Sequence, residues 1–183
     1  SGQPDIITSI DRLRIEAPHC RATSLIVSWF GDDLRCADCT IRPKVEQAQF
    51  DGAEMPWRVS NQTRVQAAII AQLNGRPVYG GTPTDASVIA AIRRLQAEGQ
   101  AVMVYPFILM DQLAGNGRPD PWSDAPHQPV LPWRGRITAS RAPGRDGSPD
   151  GTAGMEAEVA AFFGTASAAH FTVTSGHVSY TGP

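Results

Sequence analysis

Apolar residues recur at helical spacing in three parts of the chain. A repeat of three to four residues places apolar side chains on one face of a helix. The helices predicted in this way span residues 5–16, 85–98 and 152–163. Thr84 stands at the N-cap position of the second helix and Gly99 at its end, and Asp150 or Thr152 is expected to cap the third.

Continuous apolar runs predict two strands, residues 23–30 and 101–110, each buried on both faces. The turn signal Asn74-Gly75 predicts a hairpin of residues 65–70 with 76–79. A short strand over 135–140 and a hairpin of 171–174 with 177–180 are also predicted.

Strand, helix and strand follow one another over residues 77–110, which predicts a right-handed βαβ unit. The fold class is therefore expected to be α/β, with parallel strands and flanking helices. The loop Gly80–Thr84 matches neither glycine pattern of nucleotide-binding loops. We interpret its two glycines as residues that allow a tight turn into the helix.

Glycine and proline are concentrated in residues 115–151, which hold 13 of the chain's 17 glycines and 15 prolines combined. A loop of this length in a compact domain is usually functional or disordered. Its Trp122 and Trp133 favour an ordered excursion. With 183 residues, the chain is expected to form one domain, residues 1–183.

The charge balance argues against a nucleic-acid partner, because the net charge is only −2. No run approaches the roughly 18 apolar residues of a membrane span, so none is expected. The chain begins Ser1-Gly2, with neither an initiator Met nor signal-peptide character, and is expected to be a processed piece.

The three cysteines leave three alternatives open. Cys36 and Cys39 have C-x-x-C spacing, and His19-Cys20 would complete a zinc set. Free thiols or a Cys36–Cys39 disulfide explain the same residues without a metal. We expect neither a metal nor a cofactor.

Polar residues follow the predicted strands, where parallel α/β proteins carry their functional groups. Asp32 and Asp33 follow the first strand, Tyr79 the second and Asp111 the third. Carboxylates there can act as acid, base or nucleophile, and they also order turns and cap helices. Asp33 and Asp111 are the candidate catalytic residues.

Aromatic residues with neighbouring arginines suggest contact with sugars. Trp133-Arg134 in the long loop offers a stacking face beside a hydrogen-bond donor, although the tryptophan would equally anchor the loop. The candidate substrate-binding residues are Trp29, Asp32, Tyr79, Trp133 and Arg134.

Several of these segments together resemble one family. The matching motifs are residues 29–35, 39–43, 79–86, 105–107 and 132–137. The chain resembles, over about residues 5–180, the TIM-barrel-like domain of the large baseplate ("megatron") protein of rhodobacterial gene transfer agents and related phage tails. Such proteins are often described as host-specificity or glycoside-hydrolase-like.

The resemblance implies a (β/α)₈ barrel in the tail tip of a virion-like particle that is assembled in the cytoplasm and released. Other tail proteins and cell-surface carbohydrate would be its partners. Because such a barrel needs about 250 residues, the chain is expected to be its N-terminal part. It would then lack the acid/base and nucleophile carboxylates that the family carries after the fourth and seventh strands.

The sequence is therefore compatible with three functions. The first is a structural and glycan-contacting role, with self-association through an open sheet edge. The second is the N-terminal part of an active glycoside hydrolase, inactive as this piece. The third is a zinc-stapled interaction module.

Overall fold

The structure is a computed structural model that describes residues 5–132, 134–175 and 177–183. The helices are α1 (Asp5–Glu16), α2 (Asp85–Ala97) and α3 (Ala153–Phe163). The strands are β1 (Ala22–Gly31), β2 (Lys44–Val45), β3 (Arg58–Val59), β4 (Gln62–Thr63), β5 (Ala68–Ile69), β6 (Gln72–Leu73), β7 (Arg76–Pro77), β8 (Ala101–Met110), β9 (Phe171–Thr174) and β10 (His177–Tyr180). Short 3₁₀ turns occupy Cys36–Asp38, Arg134–Arg136 and Ala168–His170.

The chain divides into two compact units. The first unit comprises residues 5–30 and 41–111, and the second comprises residues 31–40 and 112–183. Among the described residues, no helix has both the length and the apolar character needed to cross a bilayer.

All three predicted helices are confirmed, with bounds close to those expected. Gly99, just beyond α2, has a positive φ of 75°, which glycine adopts without steric cost. The Thr152 hydroxyl accepts a hydrogen bond from the Gly154 N–H and so caps α3. Thr84 occupies the N-cap position of α2, but its side chain makes no capping bond and pairs with the backbone of Arg58 instead.

The first unit contains a two-stranded sheet of β1 and β8. Helix α2 packs against both α1 and β8. A separate core of Val45, Trp57, Val59 and Ala67 lies beneath the short strands. Its strand β2 pairs with β5 in parallel, with Lys44 opposite Ala68.

Two predicted pairings in this unit are wrong. Residues 65–70 do not form a hairpin with 76–79, because β5 pairs with β2 and the Asn74–Gly75 turn joins β6 to β7. The last strand before α2, β7, is therefore only two residues long and forms one arm of the hairpin with β6. The long strand β8 pairs with β1, so the predicted βαβ unit does not begin at residue 77.

The strands β1 and β8 exist as predicted, but the expectation that both faces are buried is wrong. Met103 is 61% exposed and its neighbours Val104 and Tyr105 are also exposed. In the described part of the chain β8 has one strand neighbour, so part of its surface stays uncovered. Pro106 in β8 suits such an edge position, because proline has no N–H for a further ladder.

The second unit is organised around the turn Cys36–Asp38. Helix α3 packs against this turn, and Glu158 of α3 accepts hydrogen bonds from the Ser140 N–H and hydroxyl, both at 2.6 Å. The hairpin of β9 and β10 is confirmed, with Phe171 opposite Tyr180. The predicted strand at 135–140 is wrong, since a 3₁₀ turn and a single bridge from Thr138 to Arg35 take its place.

The structure is therefore a mixed α/β fold with short parallel strand pairs. The residues described do not form a closed barrel.

Candidate functional site

Asp33, directly after β1, is the centre of a buried polar network in the second unit. Its side chain is only 4% exposed. Its Oδ1 accepts hydrogen bonds from the Arg35 N–H at 2.8 Å, the Arg35 Nε at 3.1 Å and the Gln128 Nε2 at 2.7 Å. Its Oδ2 accepts one from the Arg35 Nη2 at 2.8 Å. Both carboxylate oxygens are thus occupied by donors from within the unit.

These donors fix the protonation state of Asp33. Burial by itself raises the pKa of Asp33, but the hydrogen bonds from Arg35 and Gln128 outweigh burial and leave the pKa below the ordinary aspartate value. A general acid at neutral pH needs the opposite shift. The lowered pKa favours the anionic form of Asp33, whose carboxylate orders the turn after β1.

Gln128 completes the network and was not singled out from the sequence. Its Oε1 accepts from the Leu34 N–H at 3.0 Å and from the Gln112 Nε2 at 2.6 Å. Its Nε2 donates to Asp33 and to the Pro119 carbonyl. A glutamine inside a Gly/Pro-rich loop carries no recognisable signal, so only the structure identifies it.

Asp32 lies beside this network and is more exposed, with 25% of its side chain accessible. Its Oδ1 accepts the Thr40 N–H at 2.7 Å. Arg118 approaches both carboxylates, with 3.8 Å to Asp32 and 3.7 Å to Asp33. These distances are too long for hydrogen bonds, so Arg118 acts as a nearby charge rather than as a bonded clamp.

The cysteines are all free thiols. Burial raises the pKa of both Cys36 and Cys39, with smaller contributions from the Glu158 carboxylate near Cys36 and from Asp32 and Asp33 near Cys39. In the part of the chain that the structure describes, no three His, Cys, Asp or Glu side chains come together in a metal-binding group.

Asp111 lies in the first unit, at the end of β8, and forms an ion pair with Lys44 of β2. The Lys44 Nζ lies 2.8 Å from Oδ1 and 2.9 Å from Oδ2. The Ala71 N–H donates to Oδ2 at 2.8 Å. The Asp111 side chain is 4% exposed and that of Lys44 is 13% exposed. This buried pair connects β8 to the short strands of the same unit.

Trp29 and Tyr79 also belong to the first unit. Trp29 is partly buried and packs against the core beneath the short strands. The ring of Tyr79 lies 6.4 Å from that of the fully buried Phe30. Both aromatic side chains therefore have packing partners inside their own unit.

The Gly80–Thr84 loop uses its polar groups internally. The Gly81 N–H donates to the Glu46 carboxylate at 2.6 Å, and the Thr82 N–H donates to the Lys44 carbonyl at 2.9 Å. The indole of Trp57 donates to the Thr82 carbonyl at 2.7 Å. These bonds fit the interpretation of the loop as a tight, structural turn.

Two of the sugar-contact candidates, Trp133 and Arg134, lie next to each other in the long loop. Trp133 and the side chain of Arg134 lie outside the described residues, and the Arg134 backbone begins a 3₁₀ turn. In the same loop Trp122 is 38% exposed, with its indole donating to the Arg136 carbonyl and the Arg136 guanidinium 5.5 Å from its ring.

The second unit also carries a polar cleft of about 250 Å³, which we call the 119–141 cleft. It is lined by Pro119, Asp120, Ser123, Asp124, Ala125, Pro126, Ser140 and Arg141. Asp124 holds Arg141 and Arg145, each at 2.8 Å, and these two cations lower the pKa of Asp124. The lining combines carboxylate, hydroxyl and guanidinium groups with prolines and an alanine, a mixture that is suited to hydroxyl-rich ligands.

Neither protein-family profiles nor curated protein sequences match this chain. Asp33 and Asp111 are buried in ion pairs, whereas Asp124 in the 119–141 cleft is exposed.

Proposed function

We propose that the chain is a structural, surface-contacting part of a phage-tail-like baseplate protein, of the gene transfer agent type that its motifs resemble. Its place would be the tail tip of a released particle. Its partners would be other tail proteins and carbohydrate on the recipient cell.

The engagement of Asp33 and Asp111 supports a role without glycoside hydrolysis. A glycosidase needs one carboxylic acid with a raised pKa and a second free carboxylate across the scissile bond. Asp33 has a lowered pKa and its oxygens are filled by Arg35 and Gln128. Asp111 is held by Lys44 and the Ala71 N–H. Two structural ion pairs leave neither carboxylate available for catalysis.

The 119–141 cleft supports contact with a glycan. The exposed Asp124–Arg141 pair offers an acceptor and a donor. The Ser123 and Ser140 hydroxyls, which donate to Asp120 and Glu158, offer acceptor oxygens. Its volume is nearer to that of one sugar ring than to that of a long oligosaccharide, so we propose recognition of single surface residues of a polysaccharide. Trp133 and Arg134, in the same loop, remain proposed contacts.

We also propose that the chain is the N-terminal part of a larger (β/α)₈ barrel. Its long strands β1 and β8 with the packed helix α2 are the elements that support this. The exposed Met103 and Tyr105 of β8 are apolar surface that a larger sheet or a second copy would cover.

A turnover assay separates the structural role from that of an active hydrolase. The chain is incubated with peptidoglycan and with surface polysaccharide, and released reducing ends are measured. We expect none above a buffer control. Turnover that disappears in Asp33→Ala or Asp111→Ala, in a variant shown to be folded by circular dichroism, would instead establish the hydrolase.

A binding assay tests the glycan contact. Retention of the chain on immobilised surface polysaccharide is compared for the wild type, Arg141→Ala and Arg14→Ala. Arg14 is the matched control, because it is an exposed arginine with one carboxylate partner, Glu98, in the first unit. We expect Arg141→Ala alone to lose retention. Equal retention of all three proteins would refute the 119–141 cleft as the contact.

A further inference from the structure

The turn that carries Cys36 and Cys39 keeps the Cα atoms of the two cysteines at a separation that a disulfide can bridge. Cys36 begins the 3₁₀ turn and the Cys39 N–H donates to the Cys36 carbonyl at 3.2 Å. A turn closed in this way keeps its first and fourth Cα atoms within about 7 Å. Disulfides bridge Cα atoms about 4.4–6.8 Å apart. In a 3₁₀ turn the side chains at these positions also lie on the same side.

The surroundings of the turn keep it in this conformation. The Cys36 N–H donates to the Thr138 carbonyl at 2.7 Å, and the Thr138 N–H donates to the Leu34 carbonyl at 2.8 Å. Helix α3 packs against the same turn. The two cysteines are therefore presented by a backbone that is fixed from both sides.

The two thiols differ in access. Cys36 is buried, with 7% of its surface exposed, whereas Cys39 is half-buried. The carboxylate of Glu158 lies near Cys36 and disfavours its thiolate. Burial raises the pKa of both thiols, and Asp32 and Asp33 act on Cys39 as Glu158 acts on Cys36, so access rather than pKa distinguishes the two cysteines. An external disulfide would thus meet Cys39 first.

We propose that Cys36 and Cys39 form a reversible disulfide by exchange with a low-molecular-weight disulfide, with Cys39 as the attacking residue and Cys36 as the resolving one. The Cys39 thiolate attacks one sulfur of the small disulfide, forms a mixed disulfide and releases one thiolate. The Cys36 thiolate then attacks the Cys39 sulfur and releases the second. Two protein thiols are oxidised and one small disulfide is reduced to two thiols, which take up the two protons.

The bond would staple the turn on which α3 and the Asp33 network rest. Its formation does not depend on the proposed baseplate role. It would nevertheless suit a protein that leaves a reducing compartment for an oxidising one.

The test uses the 183-residue chain with glutathione disulfide. Thiols are counted by alkylation after denaturation, and the bonds are mapped by peptide mass spectrometry. We expect the three thiols of the reduced chain to fall to one, with the bond between Cys36 and Cys39. Cys20→Ser is the control, and it should lose its two remaining thiols at the wild-type rate.

The single variants test the order of attack. Cys36→Ser should accumulate one glutathione on Cys39, because no resolving thiol is present. Cys39→Ser should form a glutathione adduct on Cys36 about tenfold more slowly than Cys36→Ser forms one on Cys39, because Cys36 is buried. Equal rates in the two variants would overturn the assigned order.

The folded turn should favour the bond. At one ratio of oxidised to reduced glutathione, we expect a larger oxidised fraction in the native chain than in urea. A smaller fraction, a bond that includes Cys20, a stable glutathione adduct on the wild type, or no reaction would each overturn the proposal.

Discussion

Replacing Gln128 by alanine tests whether the Asp33 network holds the second unit together. Gln128 is 2% exposed, and its amide bonds to the Asp33 carboxylate, the Leu34 N–H, Gln112 and the Pro119 carbonyl. The alanine variant keeps the backbone but loses every one of these bonds.

The expected loss of stability follows from two of these hydrogen bonds, those with Asp33 and with the Leu34 N–H. A hydrogen bond to a charged group contributes about 1.5–3 kcal/mol, and a buried donor left without a partner costs about 1–3 kcal/mol. The Leu34 N–H is such a donor, because Leu34 is fully buried. Together these terms predict a loss of about 2.5–6 kcal/mol in the free energy of unfolding. That is a large share of the roughly 5–15 kcal/mol that stabilises a domain.

The assay follows the exposure of Cys36, which is buried in the second unit. Pulse alkylation across a urea gradient, read by peptide mass spectrometry, gives the urea midpoint of that unit. Gln96→Ala is the control, because Gln96 is exposed on α2 and should shift the free energy by less than about 0.5 kcal/mol. A Gln128→Ala midpoint that matches the control would refute the stabilising role of the network.

Three further predictions concern single side chains. Lys44→Met should cost about 3–5 kcal/mol in unfolding free energy by urea titration, because it leaves a buried carboxylate without its cation; an unchanged midpoint would refute this. Gly81→Ala should lower the free energy of unfolding by about 1 kcal/mol, because its Cβ would meet the Glu46 carboxylate at 2.9 Å and break the hydrogen bond from the Gly81 N–H. Gly80→Ala is the control and should be nearly neutral, because open space surrounds that position. Because the folded pKa of Asp33 is lowered, its stabilisation is complete above the ordinary value of about 3.9 and is lost as the pH falls through the folded value. Asp33→Asn should therefore show a flatter loss of stability below about pH 4, and an acid limb as steep as that of the wild type would contradict the assignment.

The sequence by itself determined the elements that depend on near neighbours. Helices α1, α2 and α3 follow from apolar repeats, which end at Pro18 after α1 and at Gly99 and Gly164 after the other two. Strands β9 and β10 follow from two short apolar runs around one turn. In each case the decisive contacts lie within one helical turn or one hairpin, so the local pattern carries the information.

The tertiary structure decided the pairings and the chemistry. Strand β5 joins β2 rather than its sequence neighbour, because two-residue strands have too little pattern to specify a register. Asp33 pairs with Arg35, only two residues away, but its buried network closes because Gln128, 95 residues away, also donates to it. Asp111 is paired with a lysine 67 residues earlier. A carboxylate after a strand looks the same in sequence whether it serves catalysis or structure, since the distinction lies in the donors that folding brings to its oxygens.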